Sequence, residues 1–205
     1  MSRNRRIMIW LLLLCGILIP LVLAAQSPLL AFRQPIYILA GFAGVTAMVL
    51  LLLQPVLIGR YLPGLSAAQT REGHRIVGSI LVLMVLIHVG ALWITSPPDV
   101  VDALLFVSPT PFSPWGVIAM WAVFATAFLA AARLSLRLKP SIWRAGHTLL
   151  VVIAVAGSVA HALLIEGTME QISKIGLCAL VVLVSLKVVR DRRAWAVLFQ
   201  IGRAS

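Results

Sequence analysis

The 205-residue chain is 61% hydrophobic and only 11% charged, with a mean hydropathy of +1.06. A soluble domain does not need so much apolar surface, so that surface must face lipid and a water-soluble globular fold is excluded. The net charge of +11 has the sign that nucleic acid attracts, but its distribution along the chain, given below, assigns it another role.

Six apolar stretches are long enough to cross a bilayer, at about 7–24, 35–58, 75–95, 115–132, 146–165 and 172–189. They predict an all-α fold, a six-helix transmembrane bundle forming a single domain over 1–205. Lipid leaves only helices and closed barrels able to satisfy backbone polar groups, and the alternating segments of a barrel are absent.

In chain order, Ser2-Arg3-Asn4-Arg5-Arg6 before the first stretch and Leu23-Ala24-Ala25 after it give the outline of a signal peptide. The apolar run is longer than the usual 7–15 or so residues of such a region, so a retained first helix is expected. Cys15 and Cys178 stand singly inside spans and read as small apolar residues. Pro28 and Pro35 bracket the first outer loop, and Pro55 is expected to kink the second span near its end. Residues Gly59 to Gly73, with Pro63-Gly64, form the next connection.

The longest loop, Ser96 to Pro114, holds five prolines. Within it Asp99 to Phe106 predicts two amphipathic turns, either a lid over a site beside His88 or a plain interfacial segment. Ser141, after Pro140, is the expected cap of the fifth span's helix. The short Glu166-Gly167-Thr168 connection makes the fifth and sixth spans antiparallel neighbours, and Glu166 and Glu170 complement a helix dipole there.

Threading the spans with both termini cytoplasmic puts fifteen of the 17 basic residues inside. They form four clusters: Arg3, Arg5 and Arg6; Arg60, Arg71 and Arg75; Arg133, Arg137, Lys139 and Arg144; and Lys187, Arg190, Arg192, Arg193 and Arg203. Only Arg33 and Lys174 fall outside. This is the positive-inside pattern of a multi-pass protein, expected in a bacterial inner membrane, and nucleic acid is not an expected partner.

All four histidines fall into two pairs of identical spacing, His74 with His88 and His147 with His161, each pair in its own apolar stretch. Fourteen helical positions come to about four turns less 40°, so both members share one face, roughly 21 Å apart along the axis. Intramembrane imidazoles are costly and mark function. Two such helices oppose His74 to His147 at one depth and His88 to His161 at another. Haem iron takes an axial nitrogen on each face, so the pattern predicts two non-covalent b-type haems with these four residues as axial ligands.

Gly78 and Gly157 lie on the ligand faces, either to admit a porphyrin edge or for ordinary helix packing. Arg71, Arg75 and Arg144 are candidate partners of haem propionates as well as topological anchors. Met84, one turn before His88, reads as packing. Zinc would need its ligands about one ion, which a four-turn separation forbids. No Cys-x-x-Cys-His for covalent haem, no nucleotide loop and no nucleophile–base constellation occurs, so no catalytic residue is assigned.

Gly73-His74-Arg75-Ile76-Val77-Gly78 running to Leu86-Ile87-His88, and Trp143-Arg144-Ala145-Gly146-His147 running to Ala160-His161, resemble the ferric reductase-like transmembrane domain family. That family includes the membrane parts of ferric reductases and NADPH oxidases, and is related to the haem membrane subunit of the methionine sulfoxide reductase system. The resemblance implies a diheme cytochrome moving electrons from a cytoplasmic or quinol donor to an external acceptor, ferric iron or a periplasmic redox protein. Only Arg190 to Ser205 follow the sixth span, so flavin, nicotinamide or quinone chemistry is expected from a separate flavin reductase or quinol. Two other readings stay open: a quinol-linked cytochrome b subunit, and a non-redox membrane scaffold or transporter subunit.

Overall fold

The computed structural model describes residues 2–191; Arg192, Arg193 and Arg203, counted above with the basic clusters, lie outside them. Among the described residues there are seven α-helices: α1 (Arg3–Ala25), α2 (Pro35–Gly59), α3 (Ala67–Thr95), α4 (Pro97–Leu104), α5 (Ser113–Ala131), α6 (Pro140–Leu164) and α7 (Gln171–Asp191). All but α4 are long and apolar enough to span a membrane, so the chain is an integral multi-pass membrane protein. The expected all-helical six-span architecture is therefore observed.

Local chemistry sets the ends of these helices. Ser66 and Gln69 form a reciprocal capping box at the start of α3. Proline occupies the first turn of α2, α4, α5 and α6, where a missing N–H costs nothing. At the end of α2, Arg60 turns left-handed (φ 58°), and its N–H and that of Tyr61 return to the carbonyls of Leu57 and Val56. Both oxygens of Glu170 accept N–H groups at the start of α7, from Ile172 and Ser173, each at 2.6 Å.

Three expectations need correction. The helix of the third span begins at Ala67 rather than 75, and that of the fifth at Pro140 rather than 146. The hydropathic windows measured the lipid-soluble part of helices whose polar first turns project beyond it. Ser141 does not cap α6: Pro140 already stands at the first helical position, and Lys139 precedes it without a side-chain cap. The amphipathic segment starts at Pro97, so Asp99 lies inside its first turn, bonded to the Ser96 hydroxyl.

The bundle consists of two hairpins, α2 on α3 and α5 on α6, with α7 packed against α2 and α6 and α1 outside against α2 and α7. A core of Val49, Leu52, Leu81, Val123, Ala154, Leu177 and Val181 joins them. Leu12, Leu83, Trp121 and Leu183 point outward and are exposed, as a lipid-facing surface requires. One end of the bundle gathers both ends of the described chain. There the Trp10 indole N–H donates to the Pro63 carbonyl at 3.3 Å, and the Tyr61 hydroxyl bonds Asp191 Oδ2 at 2.8 Å. At the opposite end the α6–α7 connection is seated by Thr168, whose hydroxyl fills the notch left by Gly41 of α2. The buried Lys174 donates there to the Ile165 carbonyl at the end of α6, at 2.8 Å.

Candidate functional site: two imidazole pairs between helices

The four histidines come together as the spacing predicts. His74 of α3 and His147 of α6 lie toward the end that holds both chain ends, with ring centroids 6.4 Å apart. His88 and His161 lie toward the opposite end, 6.3 Å apart. Although their imidazoles meet, α3 and α6 do not pack closely on one another; α3 rests on α2 and α6 on α5. The histidines therefore face across a gap between two hairpins.

The separation is informative. Two imidazoles holding one metal ion from opposite sides at about 2 Å, with each ring centre roughly 1.1 Å beyond its nitrogen, have centroids about 6.2 Å apart. Both pairs match that figure. Each level offers two nitrogens, and among the described residues no three His, Cys, Asp or Glu side chains converge. Two donors are too few for a structural zinc site. They suffice for an iron whose four equatorial positions are taken by porphyrin, so the residues present fit haem.

The pair at the far end is held by matching devices. His88 Nδ1 lies 2.7 Å from the Ala40 carbonyl, and His161 Nδ1 lies 3.0 Å from the Phe112 carbonyl. A carbonyl can only accept, so Nδ1 must carry the proton, which leaves the Nε2 lone pair on the far edge of each ring free to bind a metal. The partners are 48 and 49 residues apart along the chain. One helical turn beyond each acceptor stands a glycine. A methyl group at Gly44 would lie 3.0 Å from His88 Nδ1, and one at Gly116 would lie 2.6 Å from His161 Nδ1. Each glycine thus lets an imidazole reach the carbonyl of the neighbouring helix. The two hairpins repeat one design.

At the near end the repeat breaks. His74 Nδ1 stands 3.4 Å from the Gln54 carbonyl, and the Gln54 amide donates back to the His74 carbonyl at 3.3 Å. His147 Nδ1 is buried and, among the described residues, has no hydrogen-bond partner. Trp143 lies on its ring instead, centroids 5.1 Å apart and planes 23° from parallel.

Gly78 and Gly157 do not face the gap. A methyl group at Gly78 would meet the Gln54 side chain at 3.2 Å, and one at Gly157 the Trp115 carbonyl at 2.9 Å. They serve close packing of α3 on α2 and of α6 on α5, so the porphyrin-edge reading of these two glycines is withdrawn. The room around the histidines comes from Gly44 and Gly116, which the sequence reading missed. Arg71, Arg75 and Arg144 are exposed near the start of the two histidine helices.

Residues 17–158 match the family described as ferric reductase like transmembrane component. The chain belongs to this family. The match covers α2, α3 and α5 entirely and includes His74, His88 and His147; it ends three residues before His161. No curated protein and no solved structure matches the chain. Membership carries transmembrane electron transfer as the general role and agrees with the resemblance read from the histidine motifs.

Proposed function

We propose that the protein is a diheme b-type membrane cytochrome, with His74 and His147 as axial ligands of an inner haem and His88 and His161 of an outer one. The observation that carries this reading is the pair of imidazole–imidazole separations, 6.4 and 6.3 Å, at two depths of one bundle. Bound haem supplies the one-electron chemistry, and its potential is set by ligands and surroundings.

The chain's own residues prepare the site. The Ala40 and Phe112 carbonyls fix the tautomer of His88 and His161 and aim their free nitrogens. Core residues such as Leu81, Val123 and Ala154 are buried around the hairpins and exclude water. The exposed guanidinium groups of Arg71, Arg75 and Arg144 are suited to inner propionates. With the basic clusters inside, electrons pass from a cytoplasmic donor, a flavin reductase or a quinol, toward an external acceptor such as ferric iron or a periplasmic redox protein. A bacterial inner membrane is the setting this topology fits.

The test is the reduced-minus-oxidised spectrum and the haem content of protein purified after expression with ample haem. Two haems per chain with a b-type spectrum are expected. A ratio near one removes the two-site arrangement, and a colourless protein removes haem altogether.

A further inference from the structure

Where three histidines have a backbone carbonyl near Nδ1, His147 has an indole. Trp143 precedes it by one turn on the same face of α6 and stacks on its ring. The indole is itself fixed by two groups at the end of α5. Its Nε1–H donates to the Leu129 carbonyl at 3.2 Å, and the Arg133 guanidinium lies 4.5 Å over its ring. A cation at that distance from an indole is held by the ring's quadrupole. The matching position one turn before His74 is Thr70, which is buried, bonds the Ala67 carbonyl and carries no ring to stack. His161 also meets a ring, that of Phe112, but edge-on at 5.7 Å and 75°, so among the described residues a stacked ring is found at one of the four imidazoles.

We propose that Trp143, clamped by Arg133 and Leu129, is the positioning residue for His147: it sets the plane of that imidazole in place of a carbonyl bond and so makes the inner site electronically distinct from the outer one. The inference rests on the haem reading. A ring without an acceptor at Nδ1 is free to rotate about its side-chain bonds, and a parallel indole 5.1 Å away removes that freedom by covering one face. The ring planes already differ between levels, 60° at the inner pair and 83° at the outer. The low-spin ferric resonance of a bis-imidazole iron depends on this angle. Two distinguishable signals are therefore expected, and only one of them depends on Trp143.

The experiment uses the purified, haem-loaded protein and its Trp143→Ala, Trp143→Phe and Arg133→Gln variants, read by electron paramagnetic resonance and haem content. Trp143→Ala should shift or broaden the inner signal and weaken inner haem by roughly tenfold or more, the scale of a lost supporting partner. The outer signal, unchanged, reports that the bundle is folded. Trp143→Phe should restore most of the inner signal because it keeps a stacking face, and Arg133→Gln should fall between. If Trp143→Ala is not recovered folded, Trp143→Leu, which retains apolar bulk without a flat ring, takes its place. Unchanged signals in the Ala or Leu variant, equal changes at both haems, or a Phe variant as impaired as Ala would each overturn the proposal. Wild-type protein with two haems keeps the underlying reading intact in those cases, whereas wild-type protein without haem removes both.

Discussion

Gly116 and His161 belong to different helices yet fix each other's identity: any side chain at Gly116 would enter the space of the His161 imidazole, with a first carbon 2.6 Å from Nδ1. The glycine exists at that point so that a carbonyl four residues earlier, on Phe112, can receive the imidazole N–H. Gly116→Ala is therefore expected to push His161 off its acceptor and weaken outer haem about 10- to 100-fold, as loss of a ligand's supporting bond does. Gly44→Ala should act in the same direction more mildly, since the corresponding separation is 3.0 Å. Haem retention after purification checks both, and equal retention in Gly116→Ala and wild type would remove the supporting role.

The two levels are expected to be separable by ligand deletion. His88→Ala should abolish outer haem and spare much of the inner, because His74 and His147 are four turns away on the same helices and are oriented by Gln54 and Trp143. His147→Ala should do the reverse. Haem-to-protein ratios near one for each single variant are the expected outcome. Loss of both haems in either variant would mean that the levels are structurally coupled.

Much of this was legible before any coordinates. The identical histidine spacings specified which imidazoles would meet, and they do. The capping box at Ser66 and Gln69 was an available local signal that the hydropathic pattern overshadowed, since the apolar stretch begins nine residues later at 75. What escaped were features that arise between helices. Gly44 and Gly116 are ordinary membrane-helix glycines in sequence, and only their position opposite an imidazole gives them a role. The nearly equal intervals from Gly44 to His88 and from Gly116 to His161 were the available clue, since the histidine repeat extends backward into α2 and α5. Trp143 could also have been noticed, standing one turn before His147 on its face. Gly78 and Gly157 misled for the converse reason: a shared face four residues away from a ligand is wide enough to include the hairpin contact beside the gap.

Gly41 and Thr168 make a second tight junction, beside Ala40, whose carbonyl holds His88. The Thr168 hydroxyl occupies the space where a Gly41 side chain would begin, and it seats the α6–α7 connection on α2. Gly41→Ala should destabilise the bundle by about 1–3 kcal/mol through overpacking. Thr168→Ala alone should cost less, and adding Thr168→Ala to Gly41→Ala should recover part of the loss, since the two groups compete for one volume. Thermal unfolding in detergent of the two single variants and the double variant gives the coupling directly. Strict additivity would show that the contact carries no strain when filled.

Glu170 gives the fold a pH dependence whose sign can be worked out. The Ser173 hydroxyl and N–H and the Ile172 N–H hold its carboxyl below the usual carboxylate range, the two N–H groups each donating to it at 2.6 Å. A carboxylate whose folded pKa is depressed contributes stability that is fully present above its unfolded value of about 4.3 and is lost as pH falls through the lower folded value. Protonation removes the charge that caps α7, whose first turn has no acidic residue of its own. Unfolding temperature should thus fall as the medium is acidified below about pH 4, and Glu170→Gln should be less stable than wild type at neutral pH while losing less on acidification. Because the group is only partly buried, added salt should shrink the difference between the two proteins. Parallel acid profiles for Glu170→Gln and wild type would show that the carboxylate caps α7 without contributing to its stability.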